Sequence, residues 1–309
     1  MRDSFQSFSP ALPVTGLCYD TSTIFRDGFM RDSTIAVIGG GNMGTCLALG
    51  LLADHFPAER LWMSNPTLEK LTPHQKKSGV NITSDNLAAA RNADIIILAV
   101  KPVIMPEVLA ELTELIQEHK PLIISTAAGV RATSIQQQLG GNIAIARAMP
   151  NTPALIGAGA TGLFVNNFVS VAQRNLVESI FRAVGLIVWL DDEKLLDTVT
   201  ALSGSGPAYY FLFMECMQSA AEQLGLPVEA ARLLTLQTAF GATRMALESD
   251  STLKELRQRV TSPKGTTERA LQVFTQQNLS GIVANALQAA KLRAEELADL
   301  FDSAEKKNA

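Results

Sequence analysis

The chain has 309 residues and a formal net charge of −4, with a pI near 5.5, which excludes an electrostatic grip on nucleic acid or an anionic membrane surface. Apolar residues make up 47% and charged residues 18%, the balance of a globular enzyme long enough for two cores. Cys18, Cys46 and Cys216 are odd in number and far apart, which points to reduced thiols in the cytoplasm and not to a disulfide framework or a zinc site.

Residues 1–32 carry Phe, Ser, Pro and three Arg without periodicity, and Met30 stands just before the first strand pattern. They are expected to be a loosely ordered extension or the product of an upstream start codon, not a secretory signal. Residues 35–53 are nearly uncharged and about as long as a membrane span. Gly39, Gly40, Gly41 and Asn42 interrupt that stretch, so a strand, a turn and a helix fit better than a span.

From Thr34 to Leu190, short β-rich runs alternate with helical patterns. Strands are expected at Ile35–Ile38, Leu61–Ser64, Val80–Thr83, Ile95–Val100, Leu122–Thr126, Ile143–Arg147, Gly162–Val165 and Leu186–Leu190. Several are uninterrupted apolar runs, as in parallel strands covered on both faces. Helical patterns such as Pro106–Glu118 and Val169–Ala183 fill the gaps. The alternation predicts an α/β doubly wound sheet.

Beyond Asp191-Asp192-Glu193 no strand pattern remains. Helices are expected at Pro207–Leu224, Pro227–Glu248, Pro263–Gln277 and Ser280–Leu300, three of them opened by a proline where proline is tolerated. The reading is therefore a dinucleotide-binding domain over 33–190, an all-α dimerisation and substrate domain over 191–303, and a tail at 304–309. The last helix offers Ile282, Ala286, Ala289 and Arg293 at helical spacing, a face suited to a homodimer.

The first strand runs into Gly39-Gly40-Gly41-Asn42-Met43-Gly44 and then the apolar helix Thr45–Ala53. In this Rossmann-like pattern one glycine makes the tight turn, the next lets a pyrophosphate approach the backbone, and the last lets helix pack on strand. The second strand ends in Ser64-Asn65-Pro66, where an NAD enzyme often presents an acid to the ribose. An uncharged end avoids repelling a 2′-phosphate, and Lys70 adds attraction, so NADPH is expected ahead of NADH. Lys101, in Ala99-Val100-Lys101-Pro102, lies at a strand end where ligands gather in such sheets.

His55, His74 and His119 all precede residue 120 and read as surface or helix-end residues, which disfavours a histidine acid/base in the second half. That half has hydroxyl-rich helix starts instead, Leu202–Phe211 and Val260–Leu271, the latter suited to a small carboxylate. Arg147–Pro153 forms a third polar corner.

Together these motifs carry a family resemblance. Residues 34–301 resemble pyrroline-5-carboxylate reductase through the glycine loop, A-V-K-P, A-A-G-V at 127–130, R-A-M-P-N-T-P, L-S-G-S-G-P-A-Y and T-S-P-K-G-T-T. The resemblance implies NAD(P)H-dependent reduction of a cyclic imine to L-proline, without a metal. It also implies dimers interlocked through the helical domain, in some members assembled into rings. It places the cofactor against Ile38, Gly39, Gly40, Gly41, Asn42, Met43, Gly44, Asn65, Asn86, Ala99, Val100, Lys101, Pro102, Thr126, Ala127 and Ala128. It places the substrate at Ser262, Gly265, Thr266 and Thr267, with Thr267 supplying a proton. Lys264 departs from the family loop, which usually reads S-P-G-G-T-T. If that position needs a positive φ, lysine costs about 1 kcal/mol or more; alternatively, Lys264 adds positive charge near the carboxylate.

Overall fold

The computed structural model describes residues 32–308; the expected extension falls, but for Asp32, outside the described residues. Eight strands form one sheet: β1 Ile35–Ile38, β2 Leu61–Ser64, β3 Asn81–Thr83, β4 Ile95–Leu98, β5 Leu122–Ser125, β6 Ile145–Met149, β7 Gly159–Val165 and β8 Gly185–Trp189. Their order is β3-β2-β1-β4-β5-β6-β7-β8. All neighbours are parallel except β6 and β7, so β7 and β8 run against the rest.

The apolar strand runs make sense in this sheet because both faces are covered. Ile35 and Val37 of β1 belong to one core cluster, while Ala36 and Ile38 belong to the other. The first cluster is closed by α1, Asn42–Ala53, and α6, Val171–Arg182, through Leu47, Leu51, Val177 and Phe181. The second is closed by α3 Asn86–Ala90, α4 Met105–His119 and α5 Ala132–Leu139. Helix α4 presents Val108, Leu109, Leu112 and Ile116 on one stripe, the spacing of an amphipathic helix on a sheet. Each such side chain contributes about 1.5–3 kcal/mol when fully buried. The remaining helix of this half, α2, spans Thr72–Ser78.

Several element ends differ from the sequence reading. Strand β6 starts at Ile145 and not Ile143, because the Asn166 side chain takes the place of a neighbouring strand: its Oδ1 accepts from Ile145 N–H and its Nδ2 donates to Ile143 O. Strand β7 begins at Gly159, three residues early, where it pairs with Gly185 of β8. That pairing is open only to glycine, since a Cβ on Gly185 would fall 2.1 Å from Gly159 O. Helix α1 starts at Asn42, so Gly44 is helical and not part of the loop.

After β8 the structure is helical: α7 Leu195–Val199, α8 Gly206–Gln223, α9 Val228–Leu247, α10 Leu253–Arg259, α11 Thr266–Gln276 and α12 Leu279–Asn308. Between α7 and α8, Thr200–Gly204 forms a π turn, so Ser203 and Gly204, which precede the helix expected from Pro207, are themselves helical. Helix α10 was not expected. It is held by a capping box between Thr252 and Glu255.

The described residues form two compact units, 32–209 with 281–308, and 210–280. In the first, Ala294, Ala298 and Phe301 of α12 are buried, and Phe301 joins the second sheet cluster. Ser134 Oγ donates to Asp302 Oδ1 at 2.5 Å beside it. The second unit buries little of its own apolar surface. Phe211, Leu212, Leu233, Leu234, Phe240 and Met245 are all exposed, and Phe213 packs on Phe274 at 6.3 Å between ring centres.

Candidate active site

The glycine loop sits where β1 ends between β2 and β4. Gly39 turns the chain at φ 104° and donates its N–H to Ser64 O at 3.0 Å. A Cβ there would lie 2.8 Å from the Ala99 backbone, and one on Gly44 would lie 2.0 Å from Gly39 O. Both glycines are thus required by close packing. Gly41 differs, since a Cβ on it would meet nothing within 4 Å. It precedes α1 without any side-chain cap. The first amides of α1, from Asn42, Met43 and Gly44, therefore have no intrahelical acceptor. A cavity of about 390 Å3 lies at this helix start, lined by Gly40, Gly41, Asn42, Thr45, Lys70, His74 and Leu155. This donor set fits the pyrophosphate of a dinucleotide.

Around the loop, the strand ends bring several expected residues together. Ala99 N–H donates to Ile38 O at 2.8 Å, and Thr126 N–H donates to Leu98 O at 3.1 Å. Lys101 and Pro102 follow at the mouth of β4, opening the turn Pro102–Ile104. Asn65 N–H donates to Thr83 O at 3.1 Å. Asn86 is fixed from both sides. Ser64 Oγ donates to its Oδ1 at 2.7 Å, and its Nδ2 donates to Glu111 Oε2 at 2.8 Å. Val100 adjoins Gly39, its Cγ1 within 2.9 Å of where a Cβ would stand.

Behind Thr126, Ala127 and Ala128 lies an ion network that the sequence reading did not identify. Arg147, on β6, is 3% exposed. Its Nη1 donates to Glu193 Oε1 at 2.9 Å, and its Nη2 donates to Ala127 O at 3.4 Å. Glu193 Oε1 also accepts from Ala132 N–H at 2.7 Å. Burial pushes the Arg147 guanidinium below its ordinary range, and the Glu193 carboxylate opposes that shift. Asp197 lies 3.7 Å from Arg131; burial raises its carboxyl and Arg131 works against the rise. A charged side chain inside the apolar run Ile145–Met149 was the available signal, because a buried charge requires a partner.

Two of the three polar corners meet in this unit. Asn151 Nδ2 donates to Ser203 O at 2.9 Å, and its Oδ1 accepts from Ala160 N–H at 2.9 Å. The third corner lies in the 210–280 unit. There Gly265 precedes α11 with no side-chain cap, and its N–H donates to Ser262 O at 3.1 Å. The amides of Thr266, Thr267 and Glu268 thus head α11 without intrahelical acceptors, and both threonines are exposed. Lys264 adopts φ 59°, the left-handed backbone that glycine tolerates best. Its N–H donates to Glu268 Oε2 at 2.7 Å, so the Glu268 carboxylate fastens the loop.

A Rossmann sheet with an open, glycine-framed helix start defines a dinucleotide-binding α/β protein with an appended helical half. Residues 34–129 match the model for NADP oxidoreductase, coenzyme F420-dependent, and residues 193–297 match that for pyrroline-5-carboxylate reductase dimerisation. The pyrroline-5-carboxylate reductase of Pseudomonas aeruginosa is 44% identical over 87% of this chain and 98% of its own length. That of Vibrio alginolyticus is 40% identical over 88% of this chain and the whole of its own. The solved enzyme from Coxiella burnetii is 50% identical, with a TM-score of 0.82 over 86% of this chain and 98% of its own. The Plasmodium falciparum enzyme, solved with NADP bound, is 32% identical, with a TM-score of 0.79 over 87% of this chain and 99% of its own. The chain belongs to the pyrroline-5-carboxylate reductase family. No helix among the described residues is long and apolar enough to cross a membrane.

Proposed function

We propose that the protein reduces 1-pyrroline-5-carboxylate to L-proline, the last step of proline synthesis, in the cytoplasm, as a homodimer and with NADPH preferred to NADH. The observation that carries this reading is 44% identity to a reductase of that name across 98% of its length, together with an uncapped T-S-P-K-G-T-T helix start. NADP bound in the Plasmodium relative and the uncharged end of β2 support the cofactor preference. The exposed apolar faces of α8 and α9 and the dimerisation match support the homodimer.

In this reading the α1 amides and the loop Ile38–Gly44 bind the pyrophosphate. Asn65, Asn86, Ala99–Pro102 and Thr126–Ala128 line the rest of the cofactor. Reduced nicotinamide supplies the hydride when bound. The free amides of Thr266 and Thr267, with Ser262 and Gly265 beside them, hold the substrate carboxylate. A protonated imine is already electrophilic, so the protein's task is orientation more than strong acid catalysis. The Thr267 hydroxyl orients the ring nitrogen or relays its proton.

The test is an assay of the purified protein with pyrroline-5-carboxylate and either NADPH or NADH, following cofactor absorbance and proline formation. Turnover is expected with both cofactors and better with NADPH; no turnover with either sinks the reading. In the same assay Thr267→Val is expected to lower kcat about a hundredfold while leaving the KM for NADPH in place. Unchanged turnover would remove Thr267 from the mechanism.

A further inference from the structure

We propose that Lys70 and His74 are specificity-determining residues of the cofactor cleft, and that together they hold the 2′-phosphate that distinguishes NADPH from NADH. The proposal rests on the NADPH reading above and assigns it to two side chains. One of them, His74, has no apparent role in the sequence.

The geometry begins at Gly40. A Cβ there would fall 2.4 Å from Leu71 Cδ2 and 3.1 Å from Asn65 Cβ. The segment after β2 therefore lies directly on the glycine loop, and Leu71 is fully buried at that contact. Lys70, at the end of the turn Leu68–Lys70, and His74, early in α2, flank Leu71 in sequence. Both line the cavity that the uncapped start of α1 also lines. One opening is thus lined both by the start of α1 and by two residues whose side chains carry nitrogen donors.

The electrostatics of this opening favour an anion beyond the pyrophosphate. No carboxylate lines it. Neither the Lys70 ammonium nor the His74 imidazole has a hydrogen-bond or ion-pair partner among the described residues. At the end of β2, where NAD-selective folds place an acid, the chain carries Ser64 and Asn65. The acid joined to this edge by hydrogen bonds, Glu111, is engaged by Asn86 Nδ2 and lies outside the cavity lining.

A phosphate monoester accepts several hydrogen bonds at once. An ammonium supplies three donors, and an imidazole supplies an N–H in either charge state. Charge-assisted bonds of this kind are the strong ones. A ribose 2′-hydroxyl gives them little to act on, so the two side chains contribute to NADPH binding and hardly to NADH binding. Contact with the pyrophosphate instead would strengthen both cofactors alike, because both carry it.

The experiment is equilibrium binding by calorimetry. Dissociation constants of NADP+, NAD+ and adenosine 2′,5′-bisphosphate are measured for the wild type, Lys70→Met, His74→Ala and the double variant. Expected is a rise of at least about tenfold for NADP+ and the bisphosphate in the double variant. The NAD+ constant should stay within about twofold, which also reports an intact fold. Equal weakening of NADP+ and NAD+ overturns the proposal, as does a double variant that binds all three probes like the wild type. A wild type that binds NAD+ as tightly as NADP+ overturns the NADPH reading itself, whatever the variants do.

Discussion

Lys264 occupies a backbone conformation, φ 59°, that costs a lysine about 1–2 kcal/mol. Its N–H is already used by Glu268, so a replacement keeps the backbone hydrogen bond and changes only the strain and the ammonium. Glycine removes the strain but adds freedom to the unfolded chain, which offsets about 0.5–1 kcal/mol. Lys264→Gly is therefore expected to stabilise the fold slightly, by about 0.5 kcal/mol, read as a higher urea midpoint. A lower midpoint would mean that the lysine stem makes a contact worth more than the strain. The backbone demand at this position was legible in the sequence through the family loop, but the Glu268 fastening was not. Glu268 looked like an ordinary first-turn acid, and only the turn Ser262–Gly265 brings Lys264 N–H to its carboxylate.

Among the elements, β6 shows how a buried charge is held. Arg147 sits between apolar neighbours on a strand and spans from Glu193, just after β8, to the Ala127 carbonyl after β5. Losing one partner of a buried pair costs about 3–5 kcal/mol, because the other charge remains. Arg147→Met is expected to destabilise the sheet unit by about 3 kcal/mol in urea unfolding, whereas a loss under about 1 kcal/mol would show that water already screens Glu193. The strands themselves were largely legible, since runs such as Ile35–Ile38 and Ile95–Leu98 are buried on both faces and carry no ambiguity of period. Strand ends were not. They depend on partners remote in sequence, as with Asn166 capping the start of β6 and Gly159 meeting Gly185. Helix α10 carried its signal openly in Thr252-x-x-Glu255, a capping box with too short an apolar run behind it to stand out.

For the molecule as a whole, the residues that carry the candidate chemistry are divided between two units. The proposed cofactor cradle belongs to residues 32–209 with 281–308, and the proposed carboxylate cradle to 210–280. The second unit exposes Tyr210, Phe211, Leu234 and Phe240, more apolar surface than a free monomer ordinarily tolerates. A second copy of the chain fits that demand. Sedimentation of the purified protein is expected to give at least twice the mass of 33.1 kDa at micromolar concentration; a stable monomer there would contradict the homodimer. The sequence pattern Ile282, Ala286, Ala289 and Arg293 pointed to such a face, and all four positions are exposed. What it missed is that the same helix later buries Ala294, Ala298 and Phe301. A helix serving two environments shows only a blurred periodicity.

The central claim, hydride transfer to the imine carbon of a carboxylate-anchored ring, is tested most directly by isotope transfer. Purified protein is incubated with pyrroline-5-carboxylate and NADPH dideuterated at the nicotinamide C4, and the product is examined by mass spectrometry. The account predicts L-proline carrying one deuterium, on the ring carbon of the former C=N bond. Unlabelled proline, or NADPH consumed without proline, would contradict it.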